Sequence, residues 1–218
     1  MAGESVSLKR RVVITGLGVV SSTGMGREAF WNAVVEGRSG ISYISGFDVK
    51  DLYCRIAGQI KDFDPTQYME RSEARRCGRF VHFAVAAAQM AIDDAEIDLR
   101  RVPPLRKGAA CGTSVAGSGN ITDRIYRTYF DRGPAACGPL DHLEMAPHAA
   151  TSRVMIAHGM KGPSSSAATG CCSALEAVEV CRKALRSGAA DVMVAAASEA
   201  VISHFGLSLL GRVDIMTR

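Results

Sequence analysis

One of the seven cysteines in this 218-residue chain has neighbours that suit a nucleophile. Cys171 stands in Thr169-Gly170-Cys171-Cys172-Ser173, after the small-residue run Ser164-Ser165-Ser166-Ala167-Ala168. Beyond it Leu175, Val178, Cys181 and Leu185 recur at helical spacing. The pattern predicts a short buried strand turning into a helix over 174–185, with the thiol at the turn. A sulfur there faces unpaired backbone N–H groups and the positive end of the helix dipole. Both favour thiolate, the nucleophilic form, and the small neighbours leave room for a carbonyl to approach. The competing assignment is packing, because free cysteine is among the most buried residue types. Cys172, pointing elsewhere, is assigned to packing.

Other chemistries fit less well. Gly16-Leu17-Gly18-Val19-Val20-Ser21 resembles the start of a dinucleotide loop. It lacks the third glycine, a helix opening at the second, and an acidic residue about twenty positions on. His82, His142, His148, His158 and His204 are scattered without ligand spacing, so no metal is expected. Arg71, Arg75 and Arg79 share one face of a predicted helix, with Arg76 adjacent. That face is either solvated or a docking patch for an acidic, phosphate-bearing partner.

The positioning elements follow from pattern and punctuation. Strands are predicted at 11–15, 108–112 and 191–197, the last fully buried, besides the one leading to Cys171. Helices are predicted at 27–36, with Phe30, Trp31, Val34 and Val35 on the apolar side, and at 72–95, with Phe80, Phe83, Ala84, Ala87, Ala88 and Ala91 inward. Two more are predicted at 120–130 and 147–158, with turn-rich stretches at 41–64 and 132–139. Alternating strands and helices argue an α/β fold with a mostly parallel sheet. Residues 1–9 read as a mobile tail and 10–218 as one domain.

The totals exclude several classes. A net charge of +4 is too slight to argue for nucleic acid. No apolar run is long enough to span a bilayer, and the N-terminus has no signal-peptide core. Seven cysteines without paired spacing argue against a disulfide framework and for the cytoplasm.

Several landmarks appear in order: Arg10-Arg11-Val12-Val13-Ile14-Thr15-Gly16-Leu17-Gly18-Val19-Val20; Gly37-Arg38-Ser39-Gly40-Ile41 with Phe47-Asp48; Gly162-Pro163-Ser164; Ala168-Thr169-Gly170-Cys171-Cys172-Ser173; and Gly188-Ala189-Ala190-Asp191-Val192-Met193-Val194-Ala195-Ala196. Together they resemble the β-ketoacyl-ACP synthases, ketosynthases of the thiolase superfamily. They are slightly closer to the ketosynthase-α subunits of type II polyketide synthases than to the fatty-acid enzymes.

The resemblance implies the N-terminal half of a thiolase-like fold: a mixed, mostly parallel sheet with helices on both faces. It implies an acyltransferase in which Cys171 takes an acyl group from the phosphopantetheine of an acyl carrier protein. Malonyl-carrier then loses carbon dioxide and attacks, giving a β-ketoacyl-carrier. By the same match the Cys171 N–H is an oxyanion donor, Val115 and Leu210 line the acyl pocket, and Arg75 and Arg76 dock the carrier. No cofactor is required beyond the carrier's own arm.

Two departures from the family stand out. Pro147-His148-Ala149-Ala150-Thr151-Ser152-Arg153 lacks an Asn-Met-x-x-Gly element. The family's two histidines, its lysine and its second oxyanion donor fall past Arg218. The expectation is therefore a ketosynthase split in two, with the C-terminal half absent from this chain and its histidines supplied by a partner polypeptide. Without that partner, an apolar face and a sheet edge would lie open. A non-catalytic scaffold that dimerises with an intact ketosynthase subunit is the alternative. An acyltransferase or thioesterase-like half that does not decarboxylate is a third reading.

Overall fold

A computed structural model describes residues 10–217; the predicted tail at 1–9 lies outside them. Its centre is a three-stranded parallel sheet of β3 (Lys107–Gly112), β4 (Ser164–Ala167) and β5 (Val192–Ala197), in the order β4-β3-β5. Every residue of β3 is buried because helices cover both faces. Side chains alternate along the strand. Ala110 meets Ala177 and Cys181 of α7 (Ser173–Arg186) on one face. Ala109 and Cys111 face the other way, into the main core. There they join Phe80, Val81, Ala84 and Val85 of α3 (Arg79–Asp94) and Ala150 and Val154 of α6 (His148–Ala157). Burying side chains such as Phe80 and Val81 contributes about 1.5–3 kcal/mol each.

The remaining described elements surround this layer. They are α1 (Arg27–Val35), the antiparallel pair β1 (Ser42–Tyr43) and β2 (Ile56–Ala57), and α2 (Arg71–Ala74). After β3 come α4 (Asn120–Arg132), α5 (Asp141–Met145) and, near the end, α8 (His204–Gly211).

Several sequence expectations need correction. Residues 11–15 form no strand; Val13 and Ile14 are exposed. Gly16 and Gly18 bring this segment onto α3, where an added Cβ would fall 2.1 and 1.9 Å from the Ala91 and Ala87 carbonyl oxygens. The Leu17 N–H donates to Asp94 Oδ2 at 2.9 Å. A cleft of about 440 Å³ separates the segment from β5, which among the described residues pairs with β3 alone. The helix expected at 72–95 breaks at 75–78, giving α2 and α3. Gly78 is extended there and packs against Ile121 and Phe80. Arg75 therefore caps α2 while Arg79 opens α3, so the arginines do not share one helix face.

Amphipathic faces also differ. On α7 the buried stripe is Ser173, Ala177 and Cys181, while Leu175 and Val178 face solvent. The sheet surface opposite is built from small residues, and only small side chains allow α7 to approach it closely. Trp31, Val34 and Val35 of α1 are likewise exposed, leaving Ala33 as its buried residue. β4 and β5 are edge strands, only partly buried.

Two histidines give the fold a pH dependence. His82 Nε2 lies 2.9 Å from the Ala74 carbonyl oxygen, and His158 Nε2 is buried without a hydrogen-bond partner. Burial lowers both from the ordinary 6.5; Arg79 adds to the effect at His82 and Lys107 at His158. Below 6.5 the unfolded chain therefore binds more protons than the folded one. Unfolding free energy measured in urea should be level above pH 7.5 or so, and fall as pH drops through about 6.5 toward the lowered folded-state values. Stability that rises on acidification through this window would contradict the assignment.

Candidate active site

Parallel pairing brings three strand ends to one edge. Gly112 stands opposite both Ala167 and Ala197, and the ladder continues through Thr113 N–H to Ala167 O at 3.0 Å and Ser198 N–H to Gly112 O at 3.1 Å. The carboxyl edge of a parallel sheet is where ligands bind in open α/β folds. Cys171 lies there, in the middle of a 3₁₀ turn, Gly170–Cys172, that joins β4 to α7. Its side chain is exposed, and its Sγ has no hydrogen-bond partner among the described residues.

The turn is held by backbone geometry and by one hydroxyl. Gly170 adopts φ +69°, the left-handed region that glycine enters without penalty. Ser173, 2 % exposed, accepts the Thr169 N–H at 2.9 Å. The same oxygen lies 2.8 Å from Thr113 O and 2.7 Å from Gly170 O, donating its single proton to one of them. Thr169 Oγ1 donates to Glu176 Oε2 at 2.6 Å, in the first turn of α7. Cys171, second in its turn, has its N–H among the unpaired donors of a helix start.

Gly112 sets how closely α7 approaches β3. A Cβ there would fall 2.3 Å from the Ser173 carbonyl oxygen and 2.8 Å from the Ala174 nitrogen, both backbone atoms. Gly112→Ala is therefore expected to push the start of α7 away, destabilising the fold by about 1–3 kcal/mol. It should also change the alkylation rate of Cys171 in the still-folded fraction. A Tm and an alkylation rate both equal to the parent's would refute this.

The other thiols divide by burial. Desolvation, reinforced by Glu144, pushes Cys77 up to about 12, and burial pushes Cys111 and Cys181 up to about 11. Cys54 is buried and its Sγ donates to Ile56 O at 3.2 Å; Cys137 is half-exposed. Cys172, expected to pack, is exposed beside Cys171, because the 3₁₀ turn ends before the first buried residue of α7, Ser173.

Two residues that pattern reading missed hold the backbone around the candidate site residues. Glu199, just past β5, accepts the Ser114 N–H at 2.6 Å, the Val115 N–H at 3.2 Å and the Thr113 hydroxyl at 3.2 Å. Its carboxylate thus ties the end of β5 to the loop after β3, whose Thr113 carbonyl reaches Ser173. A carboxylate at the carboxyl end of a strand was the available signal. Arg124 of α4 donates to the Arg75 carbonyl at 2.8 Å and the Arg76 carbonyl at 3.0 Å, capping α2.

Of the residues singled out from sequence, Cys171 and Val115 share the strand-end edge. Leu210 is half-buried in α8, which packs against α4. Arg75 and Arg76 are exposed side by side at the end of α2. Arg79 is half-buried instead, its guanidinium 5.0 Å from the Phe83 ring centroid and 6.0 Å from that of Phe63. No cluster of three or more His, Cys, Asp or Glu able to hold a metal occurs among the described residues. Nor is any helix among them long and apolar enough to cross a membrane.

Comparison with known proteins shows the family of the chain. A family model described as the N-terminal domain of β-ketoacyl synthase matches residues 9–218. The chain is 36% identical over 195 residues to a 3-oxoacyl-[acyl-carrier-protein] synthase 2 from Synechocystis sp., covering 89% of this chain and 47% of that protein. It is 37% identical over 206 residues to a putative polyketide β-ketoacyl synthase 1 from Streptomyces halstedii, covering 90% and 48%. Among solved structures, the ishigamide ketosynthase/chain length factor superposes with a TM-score of 0.85 at 26% identity, covering 96% of this chain and 52% of that one. The chain thus spans about half the length of the curated relatives it matches.

Proposed function

This chain belongs to the β-ketoacyl synthase family, matching its N-terminal domain, and from that premise we propose that it is the acyl-accepting half of a carrier-dependent condensing enzyme. The observation that carries the reading is the exposed Cys171 thiol on a glycine-permitted turn at the sheet's carboxyl edge. The thiolate attacks the thioester carbonyl of an acyl group borne on a carrier's phosphopantetheine. The carrier thiol leaves and takes up a proton, and the acyl group stays on sulfur. The Cys171 N–H donates to the oxyanion formed on the way. Malonyl-carrier then loses carbon dioxide, and its carbanion attacks the acyl-cysteine carbonyl. Cys171 is released, and the product is a β-ketoacyl-carrier two carbons longer.

Val115, fixed through its N–H by Glu199, and Leu210 line the acyl pocket in this reading. Arg75 and Arg76 receive the acidic, phosphate-bearing carrier, with Arg124 holding their backbone in place. The histidines that promote decarboxylation come from polypeptide outside these residues, a complementary half or a full ketosynthase subunit. That polypeptide covers Val13, Ile14, Leu175 and Val178, which are exposed here. No cofactor beyond the carrier's arm takes part, and free thiols suit a reducing compartment such as the cytoplasm.

The test mixes the chain with acyl-carrier and malonyl-carrier, with and without the complementary polypeptide. The expected result is acyl mass on Cys171, with carbon dioxide and β-ketoacyl product only when the second polypeptide is present. Condensation by this chain alone would contradict the division of labour. No acyl on Cys171 in either mixture would support a scaffolding subunit instead. Acyl on Cys171 without carbon dioxide release would indicate an acyltransferase.

A further inference from the structure

The backbone of Val115 is held on both sides. Its N–H donates to Glu199 Oε2 at 3.2 Å, and the Ser114 N–H reaches the same oxygen at 2.6 Å. Its carbonyl oxygen accepts the Ser118 N–H at 3.0 Å and the Ser118 hydroxyl at 2.5 Å. The loop leaves β3 at Gly112, whose register partner Ala167 leads into the Cys171 turn. We propose that Glu199 is a positioning residue that fixes Val115 through this loop and thereby sets which acyl chains Cys171 accepts. The inference rests on the reading that Val115 lines the acyl pocket.

The groups that converge on Glu199 are all donors. Besides the two N–H groups, the Thr113 hydroxyl lies 3.2 Å from Oε1 and 3.3 Å from Oε2. Its own oxygen already accepts the Ala116 N–H at 2.9 Å, so its proton goes to the carboxylate. An ionised carboxylate only accepts, and can take all of these bonds at once. Bonds to a charged acceptor are also stronger than neutral ones. Ser118 belongs to the loop and moves with it. Glu199 stands just past β5, so it fastens the loop to the sheet from outside.

The loop needs that fastening because it is strained. Ala116, next to Val115, is buried and adopts φ +48°, a left-handed conformation that a residue with a Cβ keeps only where its surroundings impose it. Without the carboxylate, Ala116 is free to leave that region and carries Val115 with it. Valine is β-branched and stiff at χ1, so its methyl groups go where its backbone goes. A pocket wall made by such a residue is rigid only while the backbone is pinned. The discrimination at stake is that of a hydrophobic pocket sensing single methylenes, about tenfold or more.

The experiment alkylates Cys171 of the purified chain with iodoacetamide and with N-octyl iodoacetamide, and reads the ratio of the two rates at that residue by peptide mass. A ratio taken at one sulfur cancels changes in thiol reactivity that a general loosening of the fold would bring. The parent should favour the octyl reagent relative to the same chain unfolded in urea. Glu199→Ala, checked for fold by Tm, should lose about tenfold of that preference. Glu199→Asp, which keeps the charge but withdraws it by one methylene, should lose it likewise and stands in if the alanine variant does not fold. Glu199→Gln, whose amide oxygen still accepts the Ser114 and Val115 N–H groups, should keep most of it. A preference undiminished in both Glu199→Ala and Glu199→Asp would overturn the positioning role and leave the acyl-pocket reading standing. A parent with no preference for the octyl reagent would remove Val115 from a pocket wall, and the inference would fall together with that reading.

Discussion

Cys171→Ser is expected to abolish acyl transfer to the chain, with a loss of at least about 10³-fold in rate, the scale of removing a catalytic nucleophile. The substitution keeps the size of the side chain and the backbone of its turn. Gly170 still provides the left-handed residue and Ser173 still bonds Thr169 and either Thr113 or Gly170. What changes is the atom. Sulfur is the more nucleophilic atom, whereas a serine hydroxyl with no hydrogen-bonded base among the described residues is not activated for attack. Cys172→Ser, one residue away and also exposed, should retain acylation. Rate loss on both substitutions would show that the turn, not the Cys171 sulfur, was being measured. Retention on Cys171→Ser would remove the acyl-cysteine step altogether.

The second large effect concerns stability. Arg153 is the hub of a partly buried ion cluster, donating to buried Glu144 Oε1 at 2.7 Å and to half-buried Glu73 Oε1 at 3.1 Å. It fastens α6 to α5 and to α2, the helix that presents Arg75 and Arg76. Glu144 is 3 % exposed, and its Oε2 already lacks a hydrogen-bond partner. Arg153→Ala leaves that carboxylate buried without its cation, which costs about 3–5 kcal/mol. For a domain of this size the Tm should fall by roughly 6–20 °C. The double substitution Arg153→Met with Glu144→Gln removes the uncompensated charge and should recover most of the loss. A single-variant shift below about 1 kcal/mol would place the cluster in effectively aqueous surroundings and contradict its burial.

The parts legible from sequence are those set by local pattern. Gly108-Ala109-Ala110-Cys111-Gly112 is the core of β3, and the small-residue approach to Cys171 does end in a turn and a helix. What escaped depends on distant residues. Glu199 acts on a loop 84 and 85 residues earlier in the chain, and Arg153 on a glutamate 80 residues away. No window of sequence contains either pair. The orientation of α7 was misread for a related reason. Periodicity favours the larger residues Leu175 and Val178 as the inner face, but the sheet opposite presents Ala110 and selects Ala177 and Cys181. The break between α2 and α3 turns on Gly78, whose extended backbone is dictated by packing against Ile121 of another helix. Residues 11–15 carry strand-forming side chains, yet their glycine neighbours seat the segment on α3, and among the described residues β5 has no strand along that edge.

Competitive alkylation probes the central claim most directly. Limiting iodoacetamide is added to the folded chain, and the rate at each of the seven cysteines is read by peptide mass. The account predicts that Cys171 reacts fastest, ahead of its exposed neighbour Cys172, with Cys77, Cys111 and Cys181 silent until the chain unfolds. Labelling of Cys171 no faster than that of Cys172, or slower than that of a buried thiol, would contradict it.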